Sequence, residues 1–417
     1  MHKPDSSPYF YGYVITAAAF MVWLIGFGTF TTCFAVFLKP LIEEFGWDRA
    51  DASIACSLSF ISMALSGITM GWLTDRLGPR PVLIVFGSFL GASYLVLSKI
   101  QSLWQFVVVY GLIGGIGAST LSVPVMATVS RWFVKQRGFM IGIAQTGISI
   151  GGLIFPPLCA YLILHYGWRP TYQIMGLIGL TGIVLPGVFF RRDPKDMGLV
   201  PDGILVEPHL QGEQAKTSFF PQLSFSKAVR TRQFWLIAGL YFSFGFCRTT
   251  FRPHLTALVQ DAGFSLADGA RVLAMTAIAS MGGRIGMGKV ADRIGNRTTF
   301  AASFGAMALI MAWGLVNRSL LGFYFFSAVF GWAWGAQAVL RFSITSETFG
   351  SLALGMVIGI LSFVESGAAT VGSYFAGHVF DLTGSYQPAF WAGLLFSLIG
   401  VALSVMVKPI KLNRDTH

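Results

Sequence analysis

The stretch GWLTDRLGPR at residues 71–80 recurs as GKVADRIGNR at residues 288–297, in a chain of 417 residues. The two copies are 217 residues apart, and Gly138 and Gly355, which lie outside the turns, keep the same spacing. Charged turns and glycines that repeat at half the chain length are typical of a duplicated membrane bundle. The sequence therefore predicts two copies of one helical unit.

The composition is that of an integral membrane protein. Hydrophobic residues make up 54% of the chain and charged residues 11%, whereas soluble proteins carry about 25% charged residues. A net charge of +11 can indicate nucleic-acid binding in a soluble protein, but no basic patch here accompanies a nucleic-acid-binding fold. The four cysteines lie inside apolar runs and lack the spacing of metal ligands. Because no catalytic motif is present either, we do not expect an enzyme.

Twelve apolar runs are long enough to span a bilayer, which takes about 20 mostly apolar residues. After the sixth run comes a polar stretch, residues 191–232, that is too hydrophilic to enter lipid. We therefore expect an all-α membrane protein with twelve transmembrane helices in two pseudo-symmetric bundles, residues 1–190 and 233–417, joined by a cytoplasmic linker. The runs lie at residues 12–38, 52–73, 81–99, 103–130, 138–164, 170–190, 233–255, 266–290, 298–317, 320–343, 353–379 and 386–408.

Lysine and arginine set the expected orientation, because they favour cytoplasmic loops. With both termini in the cytoplasm, more than twice as many of the 29 basic residues fall on the cytoplasmic side as on the outer side. This orientation places Arg252 on the outer side and Arg341 at an inner helix end. Two further arginines, Arg248 and Arg284, fall inside the membrane. We expect the protein to lie in the inner, or plasma, membrane.

The arrangement of two sixes, each with a D-R-x-G turn between its second and third runs, resembles the major facilitator superfamily. The segment RWFVKQRGFMIGIAQTGISIGG, residues 131–152, is similar to the signature of the monocarboxylate and oxalate/formate transporter branches. RRDPKDMGLVPDG at 191–203, TRQFWL at 231–236 and FDLTGSYQPAF at 380–390 are similar to segments of their bacterial members. The resemblance covers essentially the whole chain and implies a secondary transporter that works by alternating access.

The repeated turns are candidates for a conformational gate. In the superfamily such turns act as a latch, in which the acid lies near a helix terminus of the other bundle and the basic residues bridge to it. The alternative is that these charges are orientation signals in solvated turns, and the two interpretations are compatible. Gly78 and Gly295 are expected to let the chain reverse at positive φ. The predicted gating residues are Asp75, Arg76, Arg80, Asp292, Arg293 and Arg297.

Three ionisable residues lie deep inside the apolar runs, all in the second half: Arg248, Arg284 and Glu365. A charge at the bilayer centre costs about 2.5 to 3.5 kcal/mol, so such residues usually face a water-filled cavity and have a partner. Arg284 matches the arginine of the eighth helix with which both branches bind a substrate carboxylate, and a planar guanidinium suits that role. The alternative is a permanent salt bridge between Arg284 and Glu365. Arg248, nearer the outer face, either binds substrate or attracts anions at the mouth.

Glu365 departs from the pattern of these branches. The oxalate exchanger has a lysine at the aligned position, which clamps a dianion together with the arginine, so an acid there argues against dianionic substrates. We hypothesise that Glu365 pairs with Arg284 in the empty cavity. An incoming monocarboxylate takes over the arginine, and Glu365, left without its counter-charge, binds a proton. Cargo and proton then cross together.

Polar and aromatic side chains on other helices are candidates for the cavity wall, although polar residues in membrane helices often bond only to neighbouring helices. They complete the predicted substrate site and are Thr32 in helix 1, Tyr110 in helix 4, Gln145 in helix 5, and Trp334 and Gln337 in helix 10.

These observations predict a monomeric, proton-coupled carrier of small monocarboxylates in the lipid bilayer, with no cofactor, metal ion or nucleic-acid partner. One alternative keeps the fold and changes the cargo to other organic anions or drug-like aromatic acids, exported or exchanged, which the aromatic content of 15% favours. Another is a transporter-like sensor, for which a long cytoplasmic tail or an extra domain would be expected.

Overall fold

Helices account for the regular structure of the described part of the chain. The computed structural model describes residues 10–203, 223–317 and 319–408. Each of the twelve apolar runs forms a helix there, which confirms the predicted all-α membrane fold. The long helices are α1 (Gly12–Phe45), α2 (Arg49–Leu77), α3 (Pro79–Leu97), α4 (Leu103–Trp132), α5 (Arg137–Tyr166), α6 (Trp168–Phe189), α7 (Arg232–Phe251), α8 (Leu266–Ile294), α9 (Asn296–Val316), α10 (Leu320–Phe349), α11 (Leu354–Thr383) and α12 (Gln387–Met406).

Ten of these helices are long and apolar enough to cross a membrane by themselves. The remaining two are α7 and α8, whose charged residues include Arg248 and Arg284. Charged residues inside membrane helices are tolerated where they face the protein interior or water and find partners. The two least apolar helices are therefore the first place to look for a binding site.

Several helix ends differ from the predicted runs. Helix α7 stops at Phe251 rather than near residue 255, and a short helix, Leu255–Asp261, follows it. Helix α10 continues past the predicted end at 343 to Phe349. Arg341 therefore lies eight residues before the end of α10, about 12 Å along the helix axis. The expectation that Arg341 sits at a helix end was wrong, because the polar sequence SITSETF stays helical.

The two repeated turns have the backbone that the glycines were expected to provide. Helix α2 ends at Leu77 and is followed by Gly78 with φ of 85°. Helix α8 ends at Ile294 and is followed by Gly295 with φ of 94°. Positive φ of this size strains residues with a Cβ, so the turns depend on glycine at both places.

The chain divides into two compact units. The first contains residues 10–62 and 73–203, and in it α1 packs against α5 and α3 packs against α6. A Cβ at Gly28 would meet the backbone of Gly151, so small residues allow the close approach of α1 and α5. Within α4, Val107–Gly114 is a π-helical segment.

Part of the predicted linker belongs to the first unit. The linker begins with the short 3-10 turns Pro194–Met197 and Pro201–Gly203. Within the second turn, the carboxylate of Asp202 accepts hydrogen bonds from the backbone amides of Val134 at 2.9 Å and Lys135 at 2.8 Å. Residues 204–222 of the linker lie outside the described residues. Five of the 29 basic residues counted for the orientation also lie outside the described residues: Lys3, Lys216, Arg318, Lys411 and Arg414.

The second unit contains residues 63–72 of α2 together with residues 223–317 and 319–408. Its helices pack in three pairs, α7 with α11, α8 with α10, and α9 with α12. All three of the predicted intramembrane charges lie on the first two pairs. The registers of these pairs decide which charged side chains meet.

Candidate substrate site

Helices α7 and α11 approach closely at the level of Glu365. A Cβ at Gly245 would meet the carbonyl oxygen of Glu365, so only glycine allows the two backbones to lie this close. The contact is held by the hydroxyl of Thr249, which donates to the carbonyl of Ala369 at 2.6 Å. This register brings Arg248, one turn beyond Gly245, next to the Glu365 side chain.

Helices α8 and α10 are paired in the same way. A Cβ at Gly335 would meet the carbonyl oxygen of Ser280, and a Cβ at Gly283 would meet that of Trp332. The close approach places the guanidinium of Arg284, which follows Gly283, beside the ring of Trp334, with 5.4 Å between the guanidinium carbon and the ring centroid. Arg284 is buried, with 2% of its surface exposed.

Glu365 pairs with two arginines. Its carboxylate contacts the guanidinium of Arg341 from α10, and its other oxygen lies 3.7 Å from Nη2 of Arg248. These are different partners from the Arg284 that the sequence hypothesis assigned to Glu365. The hydroxyl of Tyr241 on α7 contacts the carbonyl oxygen of Arg341 at 3.2 Å and so links α7 to α10. Glu365 and both arginines are therefore fixed by three helices of one unit.

Aromatic rings lie between the guanidinium groups. The ring of Phe244 is 4.7 Å from the guanidinium carbon of Arg341 and 5.8 Å from that of Arg248. The ring of Trp334 likewise lies near two guanidinium groups, because the guanidinium carbon of Arg252 is 5.3 Å from its centroid and that of Arg284 is 5.4 Å from it. Cation–π attraction of this kind is worth about 0.5–2 kcal/mol, more where water is excluded. Neither Arg252 nor Arg341 was in the predicted substrate site.

Gln337 completes the α10 side of the site. It lies one turn from both Trp334 and Arg341, so the three side chains share a face of the helix. Gln337 is fully buried, and within the described residues neither its amide oxygen nor its amide nitrogen has a hydrogen-bond partner. Buried polar groups are nearly always satisfied. An unsatisfied buried amide on the same helix face as Trp334 and Arg341 is available to a polar ligand.

The four arginines act on one another electrostatically. Arg252, Arg341 and Arg248 all lie near enough to Arg284 to influence its charge. With Glu365 as their partner acid, the cluster of Arg248, Arg252, Arg284, Arg341 and Glu365 carries a formal excess of three positive charges. Such a cluster attracts anions. Among the described residues, no group of three His, Cys, Asp or Glu side chains is arranged to hold a metal ion.

The predicted site residues of the first unit make local contacts. Tyr110 is buried, donates its hydroxyl to the carbonyl of Phe30 at 2.8 Å and stacks on that ring. The hydroxyl of Thr32 donates to the carbonyl of Gly28 in its own helix. The amide of Gln145 lies 3.8 Å from the sulfur of Met126. These contacts account for the three side chains by packing, and their part in substrate binding stays a prediction.

Two of the predicted gating residues, Asp75 and Arg297, make contacts inside their own units. Asp75 accepts a hydrogen bond from Nη2 of Arg131 at 2.6 Å, and the Arg131 side chain is fully buried. In the second unit Arg297 donates to the carbonyl of Val405, and the neighbouring Asn296 donates to Glu347 at 2.7 Å. The Asp75–Arg131 pair ties the first turn to the end of α4. The latch role of Asp75, Arg76, Arg80, Asp292, Arg293 and Arg297 stays a prediction.

Twelve long helices among the described residues, ten of them apolar enough to cross a membrane, together with a repeated charged turn and a buried cluster of charges, are typical of polytopic membrane transporters. The chain belongs to the Major Facilitator Superfamily, whose family description matches residues 18–313. It is therefore an integral membrane transporter and not an enzyme.

Similar proteins extend over nearly the whole chain. The chain is 26% identical over 406 residues to the uncharacterized MFS-type transporter YcxA of Bacillus subtilis (strain 168), with 95% of each chain covered. It is 25% identical over 404 residues to monocarboxylate transporter 13 of Bos taurus, with 94% of this chain and 88% of the other covered. The crystal structure of the human organic anion transporter MFSD10 matches with a TM-score of 0.71 and 18% identity, over 96% of this chain and 100% of that one, which shows a shared fold.

Proposed function

We propose that this protein is a proton-coupled secondary transporter of small carboxylate-bearing anions, of which monocarboxylates are the simplest, and that Arg284 holds the substrate carboxylate during alternating access. The observation that carries the proposal is the position of Arg284: buried within α8, beside Trp334, and surrounded by the charges of three further arginines. Arginine stays charged in such surroundings and offers a planar fork that matches a carboxylate. Similarity to a monocarboxylate transporter over almost the whole chain supports the same class of cargo.

Glu365 is the proposed proton carrier. Its charge is balanced by Arg341 and, at 3.7 Å, by Arg248. A substrate anion that draws Arg248 towards itself weakens this balance, and a carboxylate that loses a counter-charge in a buried site binds a proton more readily. Substrate binding and proton binding are thereby coupled through Arg248. The sequence hypothesis had the same logic with Arg284 as the exchanged partner.

An aromatic acid is the second candidate cargo. Trp334 and Phe244 border the arginine cluster, and each ring already contacts guanidinium groups. An aromatic acid would place its carboxylate on an arginine and its ring against these side chains. This candidate is compatible with export as well as uptake. The ligand panel of the thermal-stabilisation test described below distinguishes it from short monocarboxylates.

We further propose that both termini face the cytoplasm of the plasma membrane, since the basic residues favour that orientation, and that the transporter is monomeric. Single cysteines introduced at the exposed residues Arg80 and Lys39 of a background without the native cysteines test the orientation. A membrane-impermeant thiol reagent should label the Lys39 position in intact cells and leave the Arg80 position unlabelled. The opposite labelling would reverse the topology.

The test of the proposed function is ligand-dependent thermal stabilisation of the purified protein. A ligand that binds only the folded state raises Tm by mass action. The panel contains lactate, pyruvate, formate, an aromatic acid and a neutral sugar, each with wild type, Arg284→Gln and Arg271→Gln. Arg271 is the matched control, because it lies on the same helix and its side chain is 69% exposed.

We expect monocarboxylates to raise the Tm of the wild type and of Arg271→Gln, and to leave that of Arg284→Gln unchanged. Proton coupling is then measured as uptake into proteoliposomes driven by an inward proton gradient. Stabilisation by neutral sugars alone, or equal stabilisation of wild type and Arg284→Gln by carboxylates, would show that Arg284 does not bind the cargo.

A further inference from the structure

We propose that Arg252 and Trp334 form a second anion subsite next to Arg284, and that the preferred substrate carries two anionic groups, a carboxylate on Arg284 and a second acid on Arg252. The inference rests on the proposed function, because it takes Arg284 as the carboxylate site. It goes beyond the proposed function in naming a further binding residue and a narrower substrate class.

Arginines outnumber acids around the site. Four arginines, Arg248, Arg252, Arg284 and Arg341, surround the site, and Glu365 is the acid in these helices that lies away from a helix end. The other acids between residues 232 and 408 lie within three residues of a helix end and are Asp261, Asp268, Asp292, Glu347 and Asp381. A formal excess of three positive charges around one site favours the binding of anions. A monoanion would leave two of them uncompensated, and a dianion would leave one.

Arg252 and Arg284 lie close enough to each other to hold the two ends of one small molecule. The guanidinium carbons of Arg252 and Arg284 lie 5.3 Å and 5.4 Å from the centroid of the same Trp334 ring. The two carbons are therefore no more than about 11 Å apart, twice the longer distance. Charge-assisted hydrogen bonds from guanidinium to carboxylate are about 2.7–2.9 Å long. A chain of about three to five carbon atoms with an acid group at each end would therefore span the guanidinium groups of Arg252 and Arg284.

Arg252 and Arg284 differ in their accessibility. Arg284 is buried, whereas Arg252 is exposed and directs its guanidinium to the Trp334 ring that Arg284 also contacts. One arginine is thus positioned for the inner end of a ligand and the other for its outer end. The amide of Gln337, one turn along α10 from Trp334, has no hydrogen-bond partner among the described residues and is available to a ligand polar group.

Glu365 does not oppose this substrate class. The sequence argued against dianions because Glu365 stands where the oxalate exchanger has a lysine that helps to clamp a dianion. The structure instead pairs Glu365 with Arg341 and Arg248, so its charge is more than balanced within 3.7 Å. The repulsion expected between Glu365 and a second anionic group is therefore screened by Arg341 and Arg248.

The experiment compares ligands that are matched in length and differ in one acid group. Binding of butyrate and succinate at pH 7.5, where both succinate carboxylates are ionised, is measured by isothermal titration calorimetry on the detergent-purified protein. The variants are Arg252→Gln, Arg252→Lys, Arg284→Gln and the control Arg271→Gln. Because the Arg252 side chain is exposed, its replacement should leave the fold intact, and butyrate affinity reports on that directly.

We expect the wild type and Arg271→Gln to bind succinate at least about tenfold more tightly than butyrate. Arg252→Gln should bring succinate down to the affinity of butyrate while lowering butyrate affinity by much less, and Arg252→Lys should restore part of the difference. Equal affinities of the two ligands in the wild type, or an equal loss of both in Arg252→Gln, would overturn the second subsite. If Arg284→Gln binds butyrate as well as the wild type does, the proposed function fails, and that result is distinct from a failure at Arg252.

Discussion

The guanidinium of Arg341 and the carboxylate of Glu365 form a buried ion pair between α10 and α11, with 12% and 10% of the two side chains exposed. Arg248 is the second partner of the same carboxylate, at 3.7 Å. A buried charge that loses its partner destabilises a protein far more than an intact pair stabilises it. Loss of either partner should therefore destabilise the second unit, and the pair also places Glu365 where a change of partner alters its proton affinity.

Removal of either partner should destabilise the second unit. Arg341→Gln leaves Glu365 with the more distant Arg248, and Glu365→Gln leaves both arginines without their acid. Each is expected to lower the free energy of unfolding by about 3–5 kcal/mol. The double variant should lose less than the sum of the two, and a double-mutant cycle by denaturant or thermal unfolding measures the difference. Additive losses would mean that the two groups do not interact.

Glu365→Gln should uncouple transport from protons. The amide cannot take up a proton as the carboxylate does, so substrate uptake into proteoliposomes should no longer respond to an imposed pH gradient, while substrate exchange continues. Glu43→Gln, at an exposed site in α1 where 64% of the side chain is accessible, is the control and should keep the response. Uptake by Glu365→Gln that remains fully dependent on the gradient would contradict a proton-carrying role for Glu365.

Asp75→Asn should weaken the first unit. It removes the ion pair with Arg131, whose side chain is fully buried and bonded at 2.6 Å, and the expected loss is about 3 kcal/mol or more. Arg80→Gln, at an exposed residue of the same turn, should leave Tm within about a degree of wild type. If Asp75→Asn keeps Tm and substrate affinity but loses transport, the residue acts in the conformational cycle, as the latch hypothesis requires.

Asp202 should contribute to stability through its backbone as well as its carboxylate. It has φ of 61°, and its carboxylate accepts hydrogen bonds from the amides of Val134, Lys135 and Gln136. Asp202→Ala removes these acceptors and places alanine in a left-handed conformation, so we expect a loss of about 1–3 kcal/mol. Asp202→Asn keeps one acceptor oxygen and tolerates the conformation, so its loss should be smaller. Equal Tm values for the two variants would show that the carboxylate contacts contribute nothing.

The number and order of the membrane helices were predictable from the sequence alone. Each helix satisfies its backbone hydrogen bonds within its own segment, so the apolar length of a segment is enough to identify it. The repeated turns could be placed as well, because Gly78 and Gly295 are needed where φ is positive. The ends were less predictable: the polar residues after Arg341 remained helical because tertiary packing buries that part of α10.

The predicted site was incomplete for a related reason. Depth along a helix can be counted from the sequence, and this count identified Arg248, Arg284 and Glu365. The same count assigned Arg252 and Arg341 to the ends of their apolar runs, whereas the helices in the structure end at Phe251 and Phe349. A signal was present for Arg341, since the residues that follow it extend the helical run by another two turns. No such signal was present for Arg252, because its contact with Trp334 joins two helices.

The sequence by itself determined the class of fold, the twofold repeat and the chemistry available inside the membrane. These follow from local properties, namely apolar length, glycine at turns and the types of charged residue. Only the tertiary structure decided which charges meet. Partner choice depends on the register of helix pairs, set by close contacts such as Gly245 against Glu365 and Gly335 against Ser280, and a shift of one residue would rotate a side chain by about 100° around its helix axis.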